Sequence, residues 1–310
     1  MRDKAFAIIE EIKKAVLGKD DIIQKLLMVI LAKGHILLED NPGVGKTTMA
    51  LAFSKAMELD YKRIQFTPEI MPADVVGFSV YQKDTGTMEY QPGAILCNLF
   101  LADEINRTSS KTQSALLEAM EEGSVTVDGI TREIPQPFTV IATENPMGSA
   151  GTQLLPESQL DRFMVRLSIG YPKLKDEVEI LKRLKGKSGL GKVHCVVTAS
   201  DLLEMQQQVE EVHIDDSIYE YIARLVVATR DHPHIRMGVS PRGSIALVRL
   251  SRAAAWINNR DYVVPKDIEQ ILYDVLEHRL VLNAQAKVEG TTKHSLLQEI
   301  LKSTPAPKLV

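Results

Sequence analysis

The clearest chemical signal in the sequence is a glycine-containing loop between an apolar segment and a segment of helical periodicity. Glycines let the backbone approach a ligand closely, and the N–H groups at a helix start can bind phosphate. A lysine in such a loop can reach the β- and γ-phosphates of a nucleotide, and a threonine hydroxyl can bind Mg²⁺. The loop residues are Pro42, Gly43, Val44, Gly45, Lys46, Thr47 and Thr48. We therefore expect Lys46 to bind phosphate and Thr47 to be a metal ligand.

One position departs from the full phosphate-loop pattern. That pattern has a further glycine five residues before Gly45, where this chain has Asp40. The phosphate-facing residues Gly45, Lys46 and Thr47 are intact, and the strand and helix context is right, so the prediction of a phosphate loop stands. The alternative is a glycine turn before an ordinary helix.

A second signal is a pair of acids that ends the apolar segment 99–102. Asp103 and Glu104 follow Leu99-Phe100-Leu101-Ala102. At the carboxyl end of a parallel strand, Asp103 would hold the Mg²⁺ shell and Glu104 would polarise the attacking water. Without a phosphate loop the same acids would be a solvated strand end or a helix cap. With one, the pair predicts nucleotide hydrolysis.

A third apolar segment, 140–142, also ends in polar residues, Thr143-Glu144-Asn145, followed by Pro146. Asn145 is placed to orient the water or to contact the γ-phosphate. An Asn-Pro pair by itself indicates only a turn, so this assignment depends on the first two signals.

The elements that would position these residues alternate between short apolar strands and helices. Near-continuous apolar strands are typical of a parallel sheet covered by helices on both faces. The predicted strands are 35–38, 61–66, 98–102, 138–143 and 163–169, and helices are predicted at 47–57 and 110–122. Turn signals predict two β-hairpins within this part, at about 78–90 and 124–135.

Helical signals dominate after residue 172. The predicted helices are 176–184, 199–210, 216–230, 241–258, 265–278 and 292–301, with Pro241 and Pro265 in first turns. The sequence thus predicts an α/β domain at 1–171 and an all-helical domain at 172–310.

Composition narrows the class of protein further. The chain has 310 residues, 37 Lys plus Arg against 41 Asp plus Glu, and a formal charge of −4, so it is not a generic polycation. Hydrophobic residues make up 45% and two cysteines are present, which predicts a globular protein without a disulfide framework. The N-terminal segment has an amphipathic pattern rather than that of a signal peptide, and no apolar run reaches membrane-spanning length. We predict a cytoplasmic protein.

Together these motifs resemble those of AAA+ ATPases, and more closely those of the MoxR family. The matching segments are Pro42-Gly43-Val44-Gly45-Lys46-Thr47, Ala102-Asp103-Glu104-Ile105-Asn106-Arg107, Lys111-Thr112-Gln113-Ser114-Ala115-Leu116-Leu117-Glu118-Ala119-Met120-Glu121-Glu122, Leu155-Pro156-Glu157-Ser158-Gln159-Leu160-Asp161-Arg162-Phe163 and Ser240-Pro241-Arg242. The resemblance implies a P-loop αβα sandwich with a five-stranded parallel core sheet, followed by an all-α lid.

The resemblance also implies roles for single residues. Asn145 falls on the sensor-1 position, Arg162 matches the arginine finger that reaches a neighbouring subunit, and Arg242 matches sensor 2. Arg166 is a rival for the finger, and each arginine could instead be an ordinary surface residue. Val16-Leu17-Gly18 resembles the segment that lines the adenine. Glu144 stands where Gln is common in the family, so no role is assigned to it.

The implied function is ATP hydrolysis with Mg²⁺ in a homo-oligomeric ring, expected to be a hexamer. The ring would remodel, activate or assist the assembly of a client protein, in the family sometimes a partner with a von Willebrand factor A domain. The two hairpins would face the pore or the client, or would be solvated loops without a dedicated role.

Three alternatives remain. One is a nucleic-acid motor related to helicases that share the first hairpin; the charge of −4 and the 5% aromatic content argue against it. The others are a metal-chelatase ATPase subunit and a nucleotide-gated binding module in which slow hydrolysis acts as a timer.

Overall fold

A computed structural model describes residues 1–41, 43–145, 155–183 and 189–308. The strands are β1 Ile36–Glu39, β2 Tyr61–Gln65, β3 Gly77–Gln82, β4 Thr87–Pro92, β5 Leu99–Asp103, β6 Ser124–Val127, β7 Ile130–Glu133, β8 Thr139–Glu144, β9 Val165–Leu167, β10 Ile235–Met237 and β11 Val281–Leu282. The helices are α1 Arg2–Lys13, α2 Asp20–Leu31, α3 Lys46–Ala56, α4 Pro72–Val76, α5 Ser110–Glu122, α6 Glu157–Leu160, α7 Leu174–Arg183, α8 Ala199–Glu210, α9 Asp216–Asp231, α10 Pro241–Ile257, α11 Pro265–Leu276, α12 Ala284–Val288 and α13 Lys293–Ser303.

The predicted parallel core sheet is confirmed. Five strands lie in the order β2-β5-β8-β1-β9, and every neighbouring pair is parallel. The central strands β5 and β8 are buried along their whole length, which explains their near-continuous apolar sequence. All five carboxyl ends meet at one edge of the sheet. The phosphate loop, the Asp103-Glu104 pair and the polar residues at the end of β8 therefore come together at this edge.

Helix α5 shows why some boundaries could be predicted to the residue. The hydroxyl of Ser109 accepts a hydrogen bond from the N–H of Thr112 at 3.3 Å and caps the helix start. Gly123 ends the helix with φ of +64°, a conformation that favours glycine. The buried face of α5 includes Leu116, Leu117 and Met120.

Both predicted hairpins are present as antiparallel pairs. In the first, β3 pairs with β4 and Tyr81 lies opposite Met88; in the second, β6 pairs with β7 across Asp128 and Gly129. The side chains of Phe78, Tyr81 and Met88 are largely exposed, so the first hairpin presents apolar groups outside the core.

The part of the chain after residue 172 is mainly helical, as predicted, and also contains short elements that were not predicted. Strands β10 and β11 form a short antiparallel pair, with Ile235 opposite Leu282. Such short strands carry too few residues for an alternating pattern, so the sequence could not reveal them. The predicted end of the first lid helix, Leu184, lies outside the described residues.

One apolar core spans both predicted domains. It joins Ile8 and Leu26 of the N-terminal helices to Met205 and Leu250 of the lid. A second apolar cluster on the other face of the sheet contains the phenylalanines Phe66, Phe100, Phe138 and Phe163. The division at 171/172 stays a prediction.

Among the described residues no helix is long and apolar enough to span a bilayer.

Candidate nucleotide-binding site

The phosphate loop leaves β1 and enters α3 through two glycines with left-handed backbone. Gly43 has φ of +88° and Gly45 has φ of +98°, and a Cβ built on either would have no heavy atom within 4 Å. Their Cα atoms therefore border open space at the amino end of α3, as a polyphosphate cradle requires. Val44, Thr47 and Thr48 are half-buried beside them. Pro42, also predicted to bind ATP, lies outside the described residues.

Lys46 is held inside this loop. Its side-chain ammonium donates a 2.7 Å hydrogen bond to the carbonyl of Asp40, and the residue is only 9% exposed. Burial lowers the pKa of Lys46, while the nearby carboxylates of Asp40, Asp103 and Glu104 act in the opposite direction. The parallel pairing of β1 with β8 and of β8 with β5 brings the predicted lysine and both predicted acids to the same edge of the sheet.

Asp40, where the loop pattern has glycine, has a structural role. One carboxylate oxygen accepts from the N–H of Ile169 at 2.5 Å, and the other accepts from the hydroxyl of Ser168 at 2.8 Å and the N–H of Gly170 at 3.0 Å. Asp40 thus binds the start of the loop to the segment after β9. The departure from the pattern leaves the cradle intact.

Asp103 lies at the carboxyl end of β5 with both carboxylate oxygens engaged. Oδ1 accepts a 2.7 Å hydrogen bond from the hydroxyl of Thr143, and Oδ2 accepts from Arg63 Nη2 at 2.6 Å. Sequence reasoning missed Arg63 because β2 and β5 are neighbours in space and distant in the chain. Thr143 could have been found from the sequence, because it is a polar residue near the end of the apolar strand β8.

Glu104 adopts a left-handed backbone conformation, with φ of +57°, immediately after β5. This conformation is strained for a residue with a Cβ, and such strain concentrates at functional sites. The backbone N–H of Glu104 donates to the hydroxyl of Thr143 at 2.8 Å, so Thr143 contacts both acids. The Glu104 carboxylate accepts from Arg107 at 2.7 Å.

Asn145 follows directly after β8, and its backbone carbonyl accepts a 3.4 Å hydrogen bond from the buried side chain of Asn106. This places Asn145 beside the segment that carries Glu104. Glu144 lies opposite Glu39 in the strand register and is 6% exposed. Burial, and secondly the charge of Glu39, raise the pKa of Glu144 to about 7.

The donor atoms at this edge suit Mg²⁺. Thr47 offers a hydroxyl and Asp103 a carboxylate, the hard oxygen ligands that this ion prefers. The described residues contain no cluster of three or more His, Cys, Asp or Glu side chains suited to a metal. Mg²⁺ is commonly held by one or two protein carboxylates together with substrate phosphates.

The predicted adenine segment lies beside the loop. Gly18 adopts φ of +67°, and the side chain of Lys19 donates to the carbonyls of Ile169 at 2.6 Å and Tyr171 at 2.8 Å. The same 168–170 segment binds Asp40. Val16-Leu17-Gly18 therefore flanks the phosphate cradle.

Arg162 and Arg242 lie away from the carboxyl edge of the sheet. Arg162 precedes β9, at the amino-terminal edge of the sheet, and the strands keep the two edges more than about 10 Å apart. Arg162 and Arg242 line a cavity of about 280 Å³ together with Gly34, Met120 and Glu121. The Glu121 carboxylate contacts Arg162 Nε at 3.3 Å and pairs with the Arg242 guanidinium.

The rival arginine has a different environment. Arg166 lies on β9 and pairs with Glu39 at 2.9 Å. Glu39 is the last residue of β1, so this ion pair faces the carboxyl edge of the sheet within the same chain. The structure therefore groups Arg162, and not Arg166, with Arg242.

Comparisons with known proteins identify the family of the chain. Residues 35–165 match the ATPase family associated with various cellular activities (AAA), and residues 227–300 match the AAA lid domain. The "Uncharacterized protein YeaC" of Bacillus subtilis is 48% identical over 299 residues, covering 96% of this chain and 93% of that protein. "Chaperone MoxR1" of Mycobacterium tuberculosis is 35% identical over 308 residues, covering 96% of this chain and 81% of that protein.

A solved structure is similar over nearly the whole chain. A Cytophaga hutchinsonii protein, named as a candidate ATPase, matches with a TM-score of 0.92 and 39% identity, covering 99% of this chain and 96% of that one. Fold and site thus define a P-loop nucleotide-binding protein with a helical lid. The chain belongs to the MoxR family of AAA+ ATPases.

Proposed function

We propose that the chain hydrolyses ATP at the carboxyl edge of its core sheet. The observation that carries this proposal is the convergence of Lys46 with Asp103 and Glu104 behind the open glycine cradle. Lys46 and the loop amides bind the phosphates, and Thr47 and Asp103 hold Mg²⁺. When bound, that ion neutralises phosphate charge. Glu104 draws the proton from the attacking water, and Asn145 orients that water.

A second part of the proposal is that the active form is a ring, with six subunits expected. Arg162 and Arg242 share one cavity at the sheet edge opposite the cradle, so neither serves the cradle of its own chain. In a head-to-tail ring that cavity would face the cradle of the next subunit, where the arginines would stabilise charge on the transferring phosphoryl group.

The third part concerns the client. A chaperone-named relative and the exposed apolar side chains of the first hairpin support a protein client, contacted through Phe78, Tyr81 and Met88. A partner with a von Willebrand factor A domain and a cytoplasmic location are the expectations that accompany this proposal.

Two substitutions test hydrolysis directly. Glu104→Gln should bind ATP normally and lower turnover about 100-fold or more, because the proton acceptor is lost. Lys46→Ala should weaken ATP binding itself about tenfold or more, because a charged phosphate contact is lost. Fluorescent-nucleotide titration and phosphate release measure the two quantities.

Matched control variants exist for both substitutions. Glu122→Gln on α5 and Lys55→Ala on α3 change exposed side chains and should leave both quantities unchanged. Normal turnover by the Glu104 variant would remove its catalytic assignment. The same variant, loaded with ATP, is the bait for isolating the client.

A further inference from the structure

Arg162 and Arg242 come from separate parts of the chain, and one partly buried network joins them. Its centre is the carboxylate of Asp161, the residue before Arg162. Oδ1 of Asp161 accepts from Arg279 Nε at 2.8 Å, and Oδ2 accepts from the hydroxyl of Ser240 at 2.7 Å. Asp161 therefore contacts the lid at two points.

Arg279 makes the first of these contacts with a side chain that is 2% exposed. Its guanidinium also donates to the carbonyls of Asp161 at 3.1 Å, Phe163 at 2.7 Å and Met164 at 3.2 Å. One lid side chain thus fixes the backbone on both sides of Arg162. A buried charge with this many partners is strongly destabilising to remove, so the segment and the lid are held together.

Ser240 makes the second contact and leads to Arg242. It caps α10, because its hydroxyl oxygen accepts from the N–H of Arg242 at 3.1 Å. A chain of two hydrogen bonds therefore runs from the Arg242 backbone through Ser240 to Asp161. At their outer ends both arginine side chains converge on the Glu121 carboxylate.

We propose that Asp161, Ser240 and Arg279 are positioning residues that make Arg162 and Arg242 a single rigid unit. The finger and the lid arginine then reach the nucleotide of the neighbouring subunit together and with fixed spacing. This inference rests on the proposed function, because it assigns the geometry of a two-subunit site.

Asp161→Asn tests the inference, since it keeps the shape of the side chain and removes its charge. We expect ATP binding at the variant's own cradle to be unchanged and turnover to fall about 10- to 100-fold, because misplaced catalytic groups cost rate. Asp267→Asn is the matched control: Asp267 is 1% exposed and pairs with Arg260 at 2.5 Å within the lid. It should lower thermal stability similarly and preserve turnover per folded molecule.

Mixed rings distinguish a positioning role from a general structural defect. A variant with only a structural defect would not recover turnover in them. Lys46→Ala subunits bind ATP weakly but keep intact arginines. Mixed one to one with Asp161→Asn subunits, they should restore turnover several-fold above either variant alone, because they supply arginines to intact cradles. Arg162→Ala, mixed in the same way, is the positive control.

Recovery with Arg162→Ala but not with folded, ATP-binding Asp161→Asn would overturn the inference and leave the proposed function standing. Wild-type turnover by Asp161→Asn alone would also overturn it. Absence of hydrolysis by the wild-type protein at every concentration would overturn both.

If Asp161→Asn does not fold, Ser240→Ala replaces it in the same mixture, with Thr198→Ala as a control that removes a helix cap elsewhere. Recovery by the Ser240 variant supports the inference, and wild-type turnover overturns it.

Discussion

Two glutamates share the carboxyl edge of the sheet, and their proximity affects proton binding. Glu144 and Glu39 lie opposite each other on β8 and β1, and Glu39 forms an ion pair with Arg166. The pKa of Glu144 rises from 4.5 to about 7, so the folded protein binds a proton more tightly than the unfolded chain does. Its free energy of unfolding must therefore fall as pH rises through that window.

Glu144→Gln should remove this pH-dependent penalty. Above pH 7 we expect the variant to be more stable by about 3 kcal/mol, because the pKa is raised from 4.5 to about 7. Below pH 4.5 the ionisation penalty is absent, so the two proteins should differ little. Urea unfolding at pH 8 and at pH 4.5 measures the difference. Equal stability at pH 8 would contradict the assignment, and the exposed Glu122→Gln serves as control.

Single residues also show what the sequence could and could not predict. Lys46, Asp103 and Glu104 were predictable because each follows an apolar strand at the edge where parallel strands end. The contacts of Asp103 with Arg63 and Thr143 were not, because they depend on the strand order β2-β5-β8. The contacts of Glu121 could not be predicted, because its arginine partners lie about 40 and 120 positions further along the chain.

At the scale of elements, strong local signals predicted boundaries well. Helix α5 begins and ends where Ser109 and Gly123 indicate, and the buried strands were predicted to within a few residues. Short elements such as β10 and β11 were missed. Two or three residues have no periodicity, and their pairing is stabilised by the helices around them.

The phosphate loop yields a prediction at this scale. Gly45→Ala and Gly123→Ala both place a Cβ in open space on a left-handed backbone, so each should cost about 1 kcal/mol of stability. Only Gly45→Ala should reduce ATP affinity, because its Cβ would enter the cradle. Thermal unfolding and nucleotide titration of both variants separate the two effects. Equal ATP affinity would show that the cradle does not bind phosphate.

At the scale of the whole molecule, the cradle and the paired arginines lie at opposite edges of one sheet. A single subunit therefore holds two incomplete halves of the proposed site. The arginine half of such a site contributes roughly 10³ to 10⁵ in rate for arginine fingers in general. Turnover should then depend on assembly.

Specific ATPase activity should fall steeply on dilution through the concentration at which the ring dissociates. Phosphate release and sedimentation velocity, followed over the same dilution series, should show coincident transitions. Activity that stays constant while the ring dissociates would exclude a site shared between subunits. Arg162→Ala should lower turnover and weaken the concentration dependence, because the neighbouring subunit then supplies Arg242 without the finger.

The apolar core shared by the N-terminal helices and the lid has a consequence for dissecting the protein. Gln206 of α8 donates to the carbonyl of Ile30 at 2.8 Å in the interior, so even the polar contacts cross the predicted boundary. A fragment ending at residue 171 would expose the apolar faces of α1 and α2, and the complementary fragment would expose those of α8 and α10. Neither piece is a self-sufficient module, and exchanging lids between relatives would require exchanging the first two helices with them.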